Sequence, residues 1–380
     1  MEARANDRRL VERAPRAALL GEEEAPEAGH ALRAVFSDMD GTIVHYGKDQ
    51  EGGGAEWGGP SPSGRGRMCA PAGGGPAEEV LEMPPSAGTG VRGLISMRTL
   101  RAVKRLRDQG VAFVIISGVR YSTLMGRLPW LPCADAVVNE NGGRIFLRDE
   151  SGLCTLPLVE DLEWRASLAA GAGPVGQEGL APGDREGPVW DVYRRLVAEG
   201  WPVDASSYET MIRVKVRAPR TPEQLAEALQ DLPPALATAV NLSCTDVFPR
   251  DSGKANAFEY LRKRMGVERA ECAALCDDDN DLGMAALAGR AFCPKVSHAR
   301  VAEAIRQDPG HYFVAKARGT FGSDEVLDEV LKWAEQGAGA GGGKAAPAGA
   351  GVVGKGSGVD GGKHKRGRGW PGDLLAISLA

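Results

Sequence analysis

Two aspartates that directly follow a short apolar run are the first residues of the chain with a clear chemical meaning. Asp38 and Asp40 stand in the sequence Asp38-Met39-Asp40-Gly41-Thr42, after the run at 32–36. Two carboxylates this close repel each other unless a cation neutralises them. Oxygen ligands suit Mg²⁺, so the pair predicts one half of a magnesium site. The alternative interpretation is a turn in which Asp and Gly only reverse the chain.

A second acidic cluster, Asp277-Asp278-Asp279-Asn280-Asp281, follows another apolar run. Asp277 and Asp281 are four residues apart, so a turn that enters a helix can direct both carboxylates at one point. This cluster would supply the other half of the cation site. Calcium is the competing interpretation, but an EF-hand loop requires Gly at its sixth position and Glu at its twelfth. Leu282 and Ala288 occupy those positions.

Two further features indicate that an anion binds. Ser117 and Gly118 end a buried apolar run and begin a helix, where a hydroxyl and free backbone N–H groups favour an anion. Lys254 lies in the first turn of a helix predicted at 253–265, with Ser252 as its expected N-cap. A cation is unfavourable at the positive end of a helix dipole, so Lys254 is expected to face an anion or an acidic cluster. Taken singly, an ordinary N-cap and a solvated lysine explain these features.

The elements that must position these residues alternate between strands and helices. Strands are predicted at 32–36, 111–116, 134–138, 144–147 and 272–276, and helices at 96–109, 119–127, 253–265 and 282–288. Repeated strand–helix units predict an α/β fold, a Rossmann-like, doubly wound and mostly parallel sheet with helices on both faces. Ligands bind such sheets beyond the carboxyl ends of the strands, and all four motifs fall at a strand end or the start of a helix.

In this order, the four motifs resemble those of the haloacid dehalogenase superfamily of phosphohydrolases. The resemblance covers about residues 31–335 and rests on 38–42, 117–118, Lys254 and 277–281. One position departs from the family pattern, because Cys276 stands where the family usually has Gly before the fourth motif.

The resemblance implies a role for each motif residue. Asp38 would be the nucleophile that forms an aspartyl-phosphate. Asp40 would protonate the leaving oxygen and then activate water, and Thr42 would help position Asp40. Ser117 and the N–H of Gly118 would hold the phosphoryl oxygens.

Lys254 would balance the charge of those oxygens, and Asn280 would orient Lys254 or Ser117. The implied cofactor is Mg²⁺. Its implied ligands are Asp38, the backbone carbonyl of Asp40, Asp277 and Asp281.

An inserted α+β cap is expected between Asn139 and Lys254, with strands at 210–216 and 239–247 and a helix at 221–230. A cap at this point (the C2 position) resembles the type IIB branch, with Cof-type sugar phosphatases, sucrose-phosphate phosphatase, trehalose-phosphate phosphatase and phosphomannomutase.

By the same resemblance, Asn141 and Arg120 would face the substrate. The alternatives are a type I′ turn at Asn141-Gly142 and a solvated Arg120. Arg213 and Lys215 share one face of a predicted strand, and Trp190 and Trp201 are expected in the cap core. No cap residue is assigned to the site.

The domain organisation follows from where glycine and proline cluster, since 52 Gly and 24 Pro make up a fifth of the 380 residues. Segments of this composition bury too little apolar surface to fold. We therefore expect an unstructured extension, a core interrupted by an unfolded low-complexity insert, a cap and a Gly-rich tail. The extension is 1–30, the core is 31–142 with 246–335, and the insert within the core is 47–93. The cap is 143–245 and the tail is 336–380.

Composition also limits the partners and the compartment. A net charge of −5 argues against a nucleic-acid partner, and no apolar stretch approaches the about 18 residues of a membrane span. The seven cysteines form no CxxC pair, which is typical of free thiols in a reducing compartment. The N-terminus has no signal-peptide core. We expect a cytoplasmic protein, and an organelle stays open because of the N-terminal extension.

These observations predict a Mg²⁺-dependent phosphatase of a small phosphorylated metabolite, with a sugar phosphate as the expected substrate. Two alternatives stay open. One is a phosphomutase of the same branch, and the other is a non-catalytic protein that binds a phosphorylated ligand or acts as a scaffold. Neither the individual substrate nor the oligomeric state follows from the sequence.

Overall fold

The structure is a computed structural model that describes residues 30–340 except 53–54, 72, 86–89, 149–157 and 242–243. The predictions for the N-terminal extension and for most of the C-terminal tail therefore lie outside the described residues. No helix in the described ranges combines the length and the apolar character needed to cross a bilayer.

Strands and helices alternate through the described chain. The strands are β1 (Ala34–Ser37), β2 (Glu56–Pro60), β3 (Gly66–Ala70), β4 (Glu78–Pro85), β5 (Arg92–Ser96), β6 (Ala112–Ile116), β7 (Ala136–Asn139), β8 (Arg144–Arg148), β9 (Leu158–Glu160), β10 (Val203–Asp204), β11 (Ile212–Lys215), β12 (Leu236–Asn241), β13 (Cys244–Pro249), β14 (Cys272–Leu275), β15 (Arg290–Cys293) and β16 (Tyr312–Val314). The helices are α1 (Gly47–Gly52), α2 (Met97–Asp108), α3 (Tyr121–Arg127), α4 (Leu162–Ser167), α5 (Ala169–Ala172), α6 (Pro188–Ala198), α7 (Pro222–Ala228), α8 (Lys254–Arg264), α9 (Leu282–Leu287), α10 (Ala299–Gln307) and α11 (Thr320–Ala340).

An eight-stranded sheet forms the core, in the order β16-β15-β14-β1-β6-β7-β8-β9. The six strands from β16 to β7 run parallel, and β8 and β9 continue the sheet antiparallel. Successive residues of β1 alternate between two apolar layers, with Val35 in one and Phe36 in the other. Burial on both faces explains why β6 and β14 are apolar throughout and why β1 is apolar from Ala34 to Phe36. The predicted α/β fold is confirmed.

The segment at 47–93 was predicted to be unfolded, but many of its described residues form a folded sheet. Strands β2 to β5 form a separate antiparallel sheet in sequential order. Its buried side chains Cys69, Val80 and Leu94 pack with Trp57 and with Phe321 of α11. The average composition misled the prediction, because strands form here although Gly58, Gly59, Gly66 and Gly93 lie within them, and a few apolar residues at strand positions suffice to build a small core.

The cap contains a four-stranded antiparallel sheet in the order β10-β11-β13-β12. Trp190 and Trp201 are buried in its core, as predicted. Its sheet begins at Val203 and ends at Pro249, whereas β8 and β9 belong to the main sheet although they lie inside the range expected for the cap.

Two helix ends differ from their predictions. Gly253, with φ 100°, is the N-cap of α8, and Ser252 instead donates its hydroxyl to the carbonyl of Pro249 at 2.9 Å. Helix α11 continues to Ala340, past the expected start of the tail at residue 336. By contrast, the Ser96 side chain caps α2 by accepting from the amide of Thr99 at 2.9 Å.

Candidate active site

The parallel register brings three of the four motifs to one edge of the main sheet. Asp38 follows β1, Ser117 follows β6 and Asp277 lies just beyond β14, and these strands are neighbours. Ser37 pairs with Ile115 on one side and with Leu275 on the other. The motif residues therefore leave the sheet at the same level, which is where ligands bind in this class of sheet.

Lys254 joins the first and last motifs inside the protein. Its Nζ donates to Oδ1 of Asp38 at 2.6 Å and to Oδ1 of Asp281 at 2.5 Å. All three side chains are buried. This contact explains the unfavourable placement of a cation in the first turn of α8, because two carboxylates compensate for the helix dipole.

The three aspartates converge, and one oxygen from each of Asp38, Asp277 and Asp281 lies within 4.8 Å of the others. Burial raises the pKa of Asp38 well above its usual range, although the Lys254 ammonium opposes this. Burial and then the charge of Asp281 raise the pKa of Asp277 to about 7. Burial lowers the pKa of Lys254, but Asp281 and Asp38 outweigh burial, and the pKa lies above its ordinary value.

This donor set fits a hard divalent cation. Three buried carboxylates face a single ammonium, so the cluster carries excess negative charge when it is fully ionised. The ligand atoms are carboxylate oxygens, which suit Mg²⁺ better than a soft metal.

Asp277 is held by contacts that the motifs did not reveal. Ser297 donates its hydroxyl to Oδ2 at 2.6 Å, and Thr42 donates to Oδ1 at 3.2 Å. A Cβ added to Gly41 would lie 2.2 Å from Oδ2 of Asp277, and Gly41 has φ +92°. Glycine is therefore required here both for its backbone conformation and for the close approach of the Asp277 carboxylate.

The surroundings of Asp40 correct the role expected for Thr42. Oδ1 of Asp40 accepts a hydrogen bond from the Tyr46 hydroxyl at 2.6 Å and another from Arg127 at 2.5 Å. The Thr42 side chain donates to Asp277 instead, and no hydrogen bond among the described residues joins it to the Asp40 carboxyl group. Tyr46 and Arg127 are site residues that the sequence analysis missed. Arg127 was detectable, because it lies three residues after the buried Leu124 on the buried face of α3.

The second motif is held by the turn that follows β7. Ser117 is buried, and its hydroxyl accepts from the amide of Val119 at 3.3 Å, while its carbonyl accepts from the amide of Asn141 at 3.2 Å. Asn141 and Gly142 have φ of 51° and 90°, both in the left-handed region that the alternative interpretation, a type I′ turn, requires. A Cβ on Gly142 would approach the carbonyl oxygen of Gly253 to 2.4 Å, so this turn packs directly against the start of α8.

A buried polar network links that turn to the cap. Asn141 donates to Asp246 at 2.7 Å, and Asp246 also accepts two bonds from Arg213, at 2.6 and 2.7 Å. Arg213 donates in addition to the carbonyl of Gly118 at 3.4 Å. Asn280 donates to Oδ1 of Asn141 at 3.3 Å, and this contact differs from the expected one with Lys254 or Ser117. Asp246 was missed because nothing in its sequence surroundings marks it.

Arg120, expected to face the substrate, is paired with the cap. It donates to Asp204 at 2.5 Å and to the carbonyl of Ser206 at 3.2 Å. Its guanidinium also lies 5.2 Å from the centre of the Tyr208 ring. Together with Arg213, this residue fixes a cap strand and its loop next to the second motif.

Comparison with known proteins agrees with this geometry. Residues 204–307 match the family model of haloacid dehalogenase-like hydrolases. No curated protein sequence matches the chain significantly. The family match spans nearly the whole cap sheet, Lys254 and the fourth motif.

Solved structures of similar fold include the sucrose-phosphatase of Synechocystis sp. PCC6803 in complex with sucrose and phosphate. It is 14% identical, with a TM-score of 0.50, and the match covers 80% of this chain and 98% of that one. A Thermoplasma acidophilum protein is also 14% identical, with a TM-score of 0.49 and coverage of 81% and 100%. At 14% identity, the likeness to the sucrose-phosphatase shows that the two chains share a fold.

The resemblance to the haloacid dehalogenase superfamily is confirmed by the family match and this fold. The prediction of an enzyme is confirmed at the level of a haloacid dehalogenase-like hydrolase, the family whose model residues 204–307 match.

Proposed function

We propose that the protein is a Mg²⁺-dependent phosphatase that hydrolyses a small phosphorylated metabolite, a sugar phosphate, through an aspartyl-phosphate intermediate. The observation that carries the proposal is the buried Lys254, which bridges Asp38 and Asp281 beside Asp277. A carboxylate held by a cation at the phosphate-binding edge of the sheet is arranged to act as a nucleophile towards an anionic substrate.

In the first step, an oxygen of Asp38 attacks phosphorus while the bond from phosphorus to the leaving oxygen breaks. Asp40 gives its proton to that oxygen, which leaves as an alcohol. In the second step, water attacks the phosphorus of the aspartyl-phosphate and gives a proton to Asp40. The bond between phosphorus and Asp38 breaks, so that inorganic phosphate is released, Asp38 is a free carboxylate again and Asp40 is protonated again.

The other residues of the site would hold the phosphoryl group. Ser117 and the N–H of Gly118 would bind its oxygens, and Lys254 would balance their charge. Asp38, Asp277, Asp281 and the backbone carbonyl of Asp40 would hold Mg²⁺, which would supply further positive charge at the phosphoryl oxygens.

The polar contacts between core and cap support a hydroxyl-rich substrate. Asn141, Asp246 and Arg213 present amide, carboxylate and guanidinium groups beside Gly118. Asp246 is buried and its oxygens are bonded to Asn141 and Arg213, so the Arg213 guanidinium, whose side chain is 13% exposed, is the group that could donate to a sugar hydroxyl. The fold shared with a sucrose-phosphatase that was solved with sucrose and phosphate also supports this class of substrate.

The test is phosphate release from a panel of phosphorylated metabolites, with and without Mg²⁺. Wild type is compared with Asp38→Asn and with the control Asp278→Asn, whose carboxylate caps the turn and lies outside the three-aspartate cluster. We expect release that needs Mg²⁺, disappears in Asp38→Asn and persists in Asp278→Asn. Acid-quenched wild type should show a mass increase of one phosphoryl group, and Asp38→Asn should not.

The same panel separates the alternatives. A phosphomutase would release little phosphate and would require a bisphosphate activator to interconvert substrates. A folded wild type that binds Mg²⁺ but releases phosphate from no member of the panel would contradict the proposal.

A further inference from the structure

The Asp40 carboxyl, Tyr46 and Arg127 form a closed triangle of hydrogen bonds. Asp40 Oδ1 accepts from the Tyr46 hydroxyl at 2.6 Å and from Arg127 at 2.5 Å, and Arg127 also donates to the Tyr46 oxygen at 3.1 Å. Oδ2 of Asp40 accepts no hydrogen bond from the described residues. One oxygen of the carboxyl group is therefore held from two sides, and the other is left for a different partner.

The triangle joins two separate parts of the chain, the connection between β1 and α1 and the end of α3. Asp40 lies in the first motif, Tyr46 lies just before α1, and Arg127 ends α3, which follows the second motif. A rigid contact between them therefore ties the acid–base candidate to the segment that leads away from the phosphate-binding Ser117. A carboxyl group held from two elements keeps its orientation better than one on a mobile loop.

The position of Arg127 is costly for stability alone. Its side chain is only 4% exposed, and its Nε is buried with no hydrogen-bond partner among the described residues. A buried ion pair often contributes little net stability, since desolvation offsets the attraction between the charges. The opposite edge of the sheet offers a contrast, because Arg107 binds Asp135 in a more exposed pair at 2.7 Å, before β7.

We propose that Arg127 and Tyr46 are positioning residues that hold Oδ1 of Asp40, so that Oδ2 exchanges the proton with the leaving oxygen and then with water. This inference rests on the proposed phosphatase function. Loss of either contact would let the carboxyl group rotate away from its productive orientation, while Asp38 and the metal-binding aspartates would stay in place.

The test uses two substrates that differ in their need for an acid. A sugar phosphate releases an alkoxide that must be protonated, whereas p-nitrophenolate leaves readily without a proton. The second step requires a base with both substrates. The variants are Arg127→Met, Arg127→Lys and Tyr46→Phe, with Arg107→Met as the control for loss of a structural ion pair.

We expect kcat for the sugar phosphate to fall about 10- to 100-fold in Arg127→Met, as is typical of a misplaced catalytic group, and to recover partly in Arg127→Lys. With p-nitrophenyl phosphate, rapid mixing should show a burst of nearly one p-nitrophenol per protein, followed by slow turnover. The aspartyl-phosphate should accumulate in acid-quenched samples. Tyr46→Phe should show the same pattern more weakly, and Arg107→Met should behave as wild type.

Equal losses with both substrates and no burst would overturn the inference, because a general structural defect predicts them. Unchanged or faster turnover in both Arg127→Met and Tyr46→Phe would also overturn it. A wild type that turns over neither substrate would instead contradict the proposed function, so the two failures are distinguishable.

Discussion

The side-chain amide of Asn141 donates to Oδ2 of Asp246 at 2.7 Å, and this bond joins the turn after β7 to the cap strand β13. Asp246 is fully buried, and it also neutralises Arg213. The carboxylate therefore supports both the turn after β7 and the cap. Its removal should affect binding of large substrates and stability together.

We predict that Asp246→Ala lowers the free energy of unfolding by about 3 kcal/mol, because it leaves Arg213 with an uncompensated charge. It should also lower kcat/KM for the preferred sugar phosphate more than for p-nitrophenyl phosphate, which has no hydroxyl groups to bind. Chemical denaturation and steady-state kinetics measure both effects. The double variant Asp246→Asn with Arg213→Met should regain part of the stability, and equal losses with both substrates would contradict the prediction.

We predict that Gly41→Ala disrupts the metal site, because its new Cβ would lie 2.2 Å from Oδ2 of Asp277. Mg²⁺ affinity should fall at least about tenfold and activity about 100-fold. Calorimetry and phosphate release measure these changes. Gly64→Ala is the matched control, since Gly64 also has a positive φ of +70° but open space around it. The control should lose only about 1 kcal/mol of stability, and a similar effect of both variants on Mg²⁺ binding would refute the explanation.

Mg²⁺ binding should depend on pH, because burial and the charge of Asp281 raise the pKa of Asp277 to about 7 in the metal-free protein. Only the ionised carboxylate binds the cation, so affinity should rise with pH and level off above 7. Below 7 the dissociation constant should increase about tenfold per pH unit for each proton released. Titration calorimetry in buffers of different ionisation enthalpy counts that proton. A dissociation constant unchanged between pH 6 and 8 would rule this mechanism out.

The stability of the core should carry a second pH dependence, at Asp324. Burial raises the pKa of this carboxyl to about 6, although Ser96 and Thr99 donate to its Oδ1, and its Oδ2 is buried with no hydrogen-bond partner among the described residues. A folded pKa above the unfolded value favours the folded state at low pH, and this contribution is lost as the pH rises from about 4 through 6.

Asp324→Asn removes this titration. Relative to wild type, the variant should therefore gain about 1 to 3 kcal/mol between pH 4 and pH 7. Urea denaturation of both proteins at the two pH values gives the difference. Thr99→Val serves as a control, because it removes one donor and keeps the titrating carboxyl. A stability difference that does not change with pH would show that Asp324 is not titrating in this range.

The local elements near the site were predictable, because their patterns arise from neighbouring residues. The runs that became β6 and β14 are apolar throughout, and β1 is apolar from Ala34 to Phe36, since both faces are buried. Ser96 caps α2 as its position indicates. The folded sheet at 56–96 was not predictable from its composition. Its apolar side chains become a buried face only when Phe321 of the distant α11 packs against them.

The sequence by itself determined the four motifs, their order and the strand ends that carry them. It also indicated that Lys254 needs an acidic partner, because a cation at a helix N-terminus is otherwise unfavourable. Only the tertiary structure decided which carboxylates Lys254 joins, that Arg127 and Tyr46 hold Asp40, and that Asp246 holds Asn141. Those pairings connect residues up to 216 positions apart. Whether such groups meet depends on strand order and cap placement, and neither leaves a local pattern in the chain.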